Sequence, residues 1–324
     1  MKKRTNNISI IIPTYNRKDD LLNALGSIYR QDYEHFEVIV VDNNSTDGTV
    51  QLIKETYPQT KVIALDKNQG PAVARNAGII NSSGEIIVGI DSDAILVGND
   101  NFKKIIDKIN EKPSIGCLTF RILRNYDKQD DRDRWWHPMP IQYYCDKEFF
   151  TDYFSGTAFA VKKEALDKSG LFPEEIFIIG EEVELSLKIL DNDFDIYYYP
   201  SVSVYHNIAQ NKSRTKEADY RKYYLKRRNQ LWIVIKYYPF IKGFIFIIPR
   251  LVNSLLSAMI TGNLGLYFRG LYEGIKYIPR ELKLRMPCKK ETWDKIRLIR
   301  NGNYIPTSHQ GCADSLGLPN VPDN

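Results

Sequence analysis

Over its first hundred residues the chain alternates short, nearly continuous apolar runs with stretches of helical periodicity. The runs ISIII (8–12), FEVIVV (36–41), KVIAL (61–65) and EIIVGI (85–90) are apolar throughout, as expected of strands buried on both faces. Between them, helices are predicted over Asp19–Gln31, Gly48–Thr56 and Pro71–Asn81; the last has proline in its first turn and Gly84 soon after its end. Strands alternating with helices imply crossover connections and a parallel sheet. No internal repeat or low-complexity tract breaks the pattern.

A polar loop follows each strand: PTYNR the first, DNNSTDGT the second, DKNQG the third and DSD the last. Ligands of open α/β sheets bind outside the carboxyl ends of the strands. Four such loops arriving at one edge therefore predict a convergent site.

Asp91 and Asp93 in IIVGIDSDAIL stand where an apolar strand should finish its burial. Residues two apart on a strand face the same way, so both carboxylates are expected in one small volume. Without a basic neighbour they repel each other unless a cation neutralises them. A hard divalent cation takes oxygen ligands and bridges to substrate phosphates; the plainer reading is a solvated loop with an Asx turn. Asp42 ends its strand, where a carboxylate can accept from a base or ribose hydroxyl, whereas Ser45, Thr46 and Asp47 read as turn and capping residues. In NQGPAVARNAG, Arg75 lies one turn into its helix and can meet a diphosphate or form a surface ion pair. The chain contains neither G-x-G-x-x-G nor a P-loop motif, which removes the main support for a dinucleotide oxidoreductase or a P-loop enzyme.

Together SIIIPTYNR, VVDNNSTDGT, NQGPAVARNAG and DSD, in this order, resemble the family-2 glycosyltransferases. FSGTAFAVKKEAL, GLFPEEIFIIGEEVELSLKIL and VYHN extend the resemblance over about residues 7–210, and YLKRRNQLW continues it more loosely. The resemblance implies a GT-A fold: a Rossmann-like α/β architecture with a mostly parallel sheet flanked by helices. It further implies a nucleotide-diphosphate sugar donor, a divalent metal (Mn²⁺ or Mg²⁺) and transfer with inversion. It assigns Pro13, Tyr15, Asp42 and Arg75 to the nucleotide, Asp91 to its ribose region and Asp93 to the metal.

The resemblance also places a general base in an acidic pair opening a helix, here Glu181 and Glu182. Glu182 holds the position of the family's aspartate, one methylene longer, with Glu181 as the alternative. Read without the family, the pair is a favourable placement of acids in a first helical turn, ahead of a buried stripe of Val183, Leu187 and Leu190. That helix N-terminus is expected to keep the carboxylate ionised. The resemblance puts His206, closing YYYPSVSVYH, at the metal or the diphosphate; simple burial after an apolar strand is the structural alternative.

Charge adds a second theme. The net charge of +5 conceals an asymmetry: residues 1–200 carry 24 Lys and Arg against 32 Asp and Glu, and residues 201–300 carry 21 against 6. Such a basic segment faces something anionic. KSRTKEADYRKYYLKRRN (212–229) mixes cations with tyrosines, but no nucleic-acid motif accompanies it, so nucleic acid is not an expected partner. The apolar stretch 231–260 is broken by Lys236, Pro239, Lys242, Pro249, Arg250 and Asn253, and no uninterrupted run of the roughly 20 residues that span a bilayer is expected. It suits helices lying on an anionic membrane surface, or a helical subdomain packed on the first domain. Trp135 and Trp136 can stack on an acceptor sugar or anchor a core.

Four scattered cysteines fit a reducing compartment, and the apolar run near the start is too short for a signal peptide. The expectation is a cytoplasmic protein, peripheral on the inner face of the cell membrane. Its parts are a catalytic domain (1–210), a basic, apolar, mainly helical extension (211–300) and an irregular tail (301–324). The activity expected is inverting transfer from a nucleotide sugar to a cell-surface polysaccharide or lipid-linked oligosaccharide. One rival is a nucleotidyltransferase, which announces itself by a glycine-rich, arginine-containing loop where this chain has PTYNR. The other is a non-catalytic peripheral membrane protein that keeps the fold, against which the retained acidic residues speak.

Overall fold

The structure, a computed structural model, describes residues 8–207 and 216–306. Nine strands form one sheet: β1 (Ile8–Thr14), β2 (Phe36–Asp42), β3 (Lys61–Ala64), β4 (Ile86–Ile90), β5 (Ala94–Leu96), β6 (Ile115–Arg124), β7 (Phe149–Thr151), β8 (Ala158–Lys162) and β9 (Asp195–His206). Their order is β3-β2-β1-β4-β8-β6-β9-β5, with β7 on β9. The four predicted strands are parallel to one another. β8 runs antiparallel between β4 and β6, and β9 lies parallel to β6 and antiparallel to β5 and β7. Every residue of β1 and β4 is buried, whereas β3, at the sheet edge, is half exposed.

The predicted helices occupy Lys18–Tyr29, Thr49–Thr56 and Gly70–Ile80. Alternation along β1 divides the core into two layers. Ile8, Ile10 and Ile12 pack with Leu21 and Leu25 of the first helix and with Phe102, while Ile11 packs with Ala72, Ala74 and Ile79. Each fully buried isoleucine of this kind contributes on the order of 1.5–3 kcal/mol.

The second layer also contains residues from far down the chain. Ile233 and Val234 of helix Lys226–Tyr237, and Trp293, Ile296 and Ile299 of helix Lys290–Arg300, join the cluster that holds Ile11.

One expectation is corrected. Residues Phe240–Ile260 form a single helix of 21 residues through Pro249, long and apolar enough by composition to cross a membrane. An interior proline removes one backbone hydrogen bond and crowds the carbonyl four residues earlier, yet the helix runs through it; the Arg250 guanidinium donates to the Phe246 carbonyl at 2.9 Å close to that break.

Lys212 and Arg214 of the basic stretch, Cys312 and the tail from residue 307 lie outside the described residues. Cys117, Cys145 and Cys288 are free thiols.

Candidate functional site

Parallel register brings the ends of β1, β2 and β3 level, with Thr14 opposite Asp42 and Asp42 opposite Ala64. The loops leaving them are tied to each other. Asn16, at φ 51°, donates its backbone N–H to Ser45 Oγ and accepts from the Thr46 N–H, both at 2.8 Å. Asn43 accepts from the Gln69 N–H and donates to the Gly70 carbonyl, both at 3.3 Å. Gly70 has φ 87°, and a Cβ there would meet the Phe177 carbonyl oxygen at 2.3 Å, so this turn requires glycine.

A cavity of about 440 Å³ opens at this edge, and Pro13, Tyr15, Arg75, Asp91, Asp93, Glu181, Glu182 and His206 all line it. Asp42 does not; its neighbour Asn43 does. Asp42 is buried, its Oδ2 accepts from the Ser45 N–H at 2.9 Å, and its Oδ1 has no hydrogen-bond partner among the described residues.

Asp91 and Asp93 do not share one strand face. β4 ends at Ile90, the Asp91 N–H bonds the Thr157 carbonyl, and a turn closed by the Ala94 N–H on the Asp91 carbonyl at 3.0 Å feeds β5. The chain turns because β4 pairs with β8 while β5 must reach β9. The carboxylates therefore diverge to separate cations. Asp91 Oδ1 accepts from Arg75 Nη2 at 2.7 Å, and Asp93 Oδ2 accepts from Arg17 Nη1 at 2.8 Å.

Arg75 is no surface residue: it is 3% exposed. Its Nη2 also donates to the Gly156 carbonyl at 3.0 Å, and its Nη1 lies 3.7 Å from Glu181 Oε1. Burial works against its charge, but Asp91, Glu182 and Glu181 outweigh burial and raise its pKa. Of the residues lining the cavity, Arg75 Nε and Nη1, Thr14 Oγ1 and Glu181 Oε2 are buried without hydrogen-bond partners among the described residues. Such atoms are uncommon in folded interiors, and here they gather around one cavity edge, where a polar ligand can satisfy them.

The acidic pair opens helix Glu181–Asp191, entered through Ile179 at φ 71° and Gly180 at φ 112°. A β-branched residue at positive φ is a strained outlier that its surroundings must hold. Buried Asn229 does so by donating its Nδ2 hydrogens to the carbonyls of Ile178 at 2.9 Å and Ile179 at 2.7 Å. Glu181 is buried and Glu182 half-buried. Burial, the largest cause, raises the pKa of both carboxyls; Glu182 adds to the rise at Glu181, and Arg75 opposes it at each. Burial thus works against the charge that the helix N-terminus favours in this pair.

His206 is buried, with Nδ1 3.2 Å from Asp131 Oδ2 and Nε2 3.7 Å from Asp93 Oδ2. Burial disfavours its charge, yet the two carboxylates prevail and raise its pKa. Burial likewise works to raise the Asp93 carboxyl, but His206, Arg17 and Arg134 hold it below its ordinary value.

Among the described residues no group of three or more His, Cys, Asp or Glu side chains is arranged to hold a metal. A divalent cation that completes its shell with substrate phosphates needs only one or two protein ligands. Asp93 Oδ2 and His206 Nε2, with Asp131 behind the imidazole, fit that requirement.

Of the neighbours Trp135 and Trp136, Trp136 lines the cavity and stacks on Tyr153 with centroids 5.5 Å apart. Trp135 instead packs on Phe149 and Tyr198, its Nε1 donating to the Met139 carbonyl. Arg17, Asn43, Asp131, Gly156 and Asn229 were not singled out by sequence reasoning. Arg17 and Asn43 lie inside quoted motifs, and Asn229 inside YLKRRNQLW; nothing local distinguishes Asp131.

Residues 9–170 match the family model described as glycosyl transferase family 2. A Methanococcus voltae dolichyl N-acetyl-alpha-D-glucosaminyl phosphate 3-beta-D-2,3-diacetamido-2,3-dideoxy-beta-D-glucuronosyltransferase is 27% identical over 80% of this chain and 83% of its own length. A Campylobacter jejuni GalNAc(5)-diNAcBac-PP-undecaprenol beta-1,3-glucosyltransferase is 28% identical over 63% of this chain and 65% of its own length. Other curated glycosyltransferases match over less of themselves: 14% of one from Rickettsia bellii and 40% of one from Haemophilus influenzae. Among solved structures, S. aureus TarS 1-349 in complex with UDP-GlcNAc superposes with a TM-score of 0.60 at 20% identity, covering 92% of this chain and 88% of that one. Its likeness concerns the fold, which is GT-A.

Proposed function

The chain belongs to glycosyl transferase family 2, and on that premise we propose that it transfers a sugar, with inversion, from a nucleotide-diphosphate sugar to a lipid-linked oligosaccharide or cell-surface glycan. One observation carries this reading: Arg75, Asp91, Asp93 and the Glu181–Glu182 pair, which come from three separate loops and helices, line a single cavity at the carboxyl edge of the parallel strands.

Pro13, Tyr15 and Asn43 take the nucleoside, and Arg75 and Asp91 hold its ribose and diphosphate. When a divalent cation such as Mn²⁺ or Mg²⁺ is bound, Asp93 and His206 hold it, and it supplies charge neutralisation at the departing diphosphate. Glu182 accepts the proton of the acceptor hydroxyl as that oxygen bonds to the anomeric carbon and the bond to the nucleoside diphosphate breaks. A carboxyl with a raised pKa suits this role, because general bases work best near the ambient pH. Trp136, beside Tyr153, offers an aromatic face to a sugar ring.

Residues 1–210 carry this chemistry and residues 211–300 face the acceptor at a membrane surface. Helix Phe240–Ile260 buries Gly243, Ile247 and Ala258 against the protein and exposes Ile241, Phe244, Ile245, Ile248 and Ile260. A helix packed along one side on a folded body, with Lys242 and Arg250 beside its apolar face, suits lying in the interface of an anionic leaflet. The relatives named for undecaprenol- and dolichyl-linked substrates support a lipid-linked acceptor.

The test is nucleotide release by the purified protein with Mn²⁺ or Mg²⁺ across UDP-, dTDP- and GDP-sugars. Release from one donor that disappears in Asp93→Ala is the expected result. Absence of both release and donor binding would leave a fold without this chemistry.

A further inference from the structure

A second cavity, of about 320 Å³, adjoins the first and shares Trp136, Tyr153, Ile179 and Gly180 with it. Its lining is apolar at Val183, Leu187, Ile233, Val234 and Phe246 and cationic at Lys226, Arg250 and Arg300. Among the described residues only Arg300 of these three has a carboxylate partner, Asp152 Oδ2 at 2.7 Å. Lys226 lies 5.0 Å from the Trp136 ring centre, Arg250 stacks on Phe246 at 3.6 Å, and neither meets a carboxylate among the described residues.

Arg227 adds a third cation that meets no carboxylate among the described residues. It is buried, its Nη1 donates to the Arg250 carbonyl at 3.2 Å, and its Nε has no partner among the described residues. Burial first, then Arg227, Lys222 and Arg250, push the Lys226 ammonium below its ordinary pKa. Desolvated cations are costly unless an anion joins them.

Two further features narrow the anion. Phe246 and Arg250 sit on helix Phe240–Ile260, so that apolar helix forms one wall of the cavity. Glu182 lines the first cavity and Val183, the next residue, lines the second. A ligand in the second cavity thus lies beside the base and against the apolar helix.

We propose that the second cavity binds the phosphate-bearing head of a lipid-linked acceptor, with Lys226 and Arg250 on the phosphate and the hydrocarbon chain leaving over helix Phe240–Ile260. This rests on the glycosyltransferase reading of the first cavity, because the acceptor hydroxyl must reach Glu182. The site sets acceptor class: a phosphorylated amphiphile, in preference to a neutral glycan or a free anion.

The experiment is calorimetric titration of the full chain with farnesyl diphosphate, farnesol and inorganic diphosphate, each with nucleoside diphosphate at saturation so that the first cavity is filled. Wild type is compared with Lys226→Gln and Arg250→Gln. Farnesyl diphosphate is expected to bind at least about ten-fold more tightly than either fragment, and each substitution to weaken it about ten-fold, the loss typical of one charge-assisted contact.

Equal affinity of both variants and wild type for farnesyl diphosphate would overturn the site. Inorganic diphosphate binding as tightly as farnesyl diphosphate would overturn the lipid, leaving a free-anion site; farnesol binding as tightly would overturn the phosphate. Arg250 lies at the exposed rim, so its variant tests the site even if Lys226→Gln folds poorly. Nucleotide affinity, read separately in each sample, reports on the first cavity alone, so failure of the donor reading is distinct from failure of this one.

Discussion

The Asn229 side-chain amide donates to the Ile179 carbonyl at 2.7 Å and pins a residue held at φ 71° two positions before the acidic pair. The residues are 50 apart in sequence, and the contact couples the C-terminal helices to the entry of helix Glu181–Asp191. Asn229→Asp removes the donors but keeps the shape. With two hydrogen bonds lost, about 2 kcal/mol of stability should go, and kcat should fall ten-fold or more while donor affinity stays, since small misplacements of a catalytic group are costly. Thermal unfolding and separate kcat and donor Kd measurements check this; an unchanged kcat would remove Asn229 from the positioning of the base.

Glu182→Gln should spare donor binding and reduce transfer by about 10²- to 10⁴-fold, the usual contribution of a positioned base. Glu181→Gln should be milder, because Glu181 is buried against Arg75 and Glu182 is the partly exposed member of the pair. The reverse order in a transfer assay would move the base by one residue.

Glycines near the base separate folding from catalysis. A Cβ on Gly156 would meet Glu182 Oε1 at 2.1 Å and Arg75 Nη2 at 3.0 Å, both ends of side chains, whereas one on Gly70 would meet the Phe177 backbone. Gly156→Ala should therefore fold, with a melting temperature near wild type, yet lose most transfer because Glu182 is displaced. Gly70→Ala should lose stability outright, from strain at φ 87° together with the backbone clash. Melting curves beside activity for the two variants test the contrast.

Stability should depend on pH through Glu181. Its folded-state pKa is raised above the ordinary 4.5 by burial and by Glu182, against the opposition of Arg75, so the folded protein holds this proton more tightly than the unfolded chain. The stabilisation is then complete below the unfolded value and is lost as pH rises through the folded one. Glu181→Gln, which cannot ionise, should melt above wild type at neutral pH and lose that advantage below about pH 4.5. The same desolvation at Glu182 should place the acid limb of the transfer rate above the ordinary glutamate range. Melting temperatures and kcat/KM between about pH 4 and 8 read both effects.

Asp93→Ala should abolish the metal-dependent part of donor affinity, measured by calorimetry with Mn²⁺ and with chelator. Wild type with chelator should resemble the variant. Unchanged metal dependence would take Asp93 out of the metal's shell.

The parallel half of the sheet and its loops were legible because burial on two faces and helical periodicity are local patterns. Arg75, Asp91 and Asp93 were legible as neighbours because strand order and direction bring loop ends to one edge, whereas Glu181, Glu182 and His206 were suggested by the family resemblance alone. The alternation rule failed at Asp91 and Asp93 because strand length is set by pairing partners: β4 pairs only as far as Ile90, opposite Ala158.

Sequence alone determined the four parallel strands and the helices between them, the edge at which their loops meet and the chemical types gathered there. Tertiary structure decided which cation serves which carboxylate, that Arg75 is buried among three acids, that Asn229 holds the strained turn, and that Leu231, Trp293 and Ile296 complete the core begun by Ile11. The division has one physical cause. Periodicity records which side of an element faces inward, a property of neighbours in the chain, whereas ion pairing, desolvation and cavity walls depend on residues that meet only after the chain has folded.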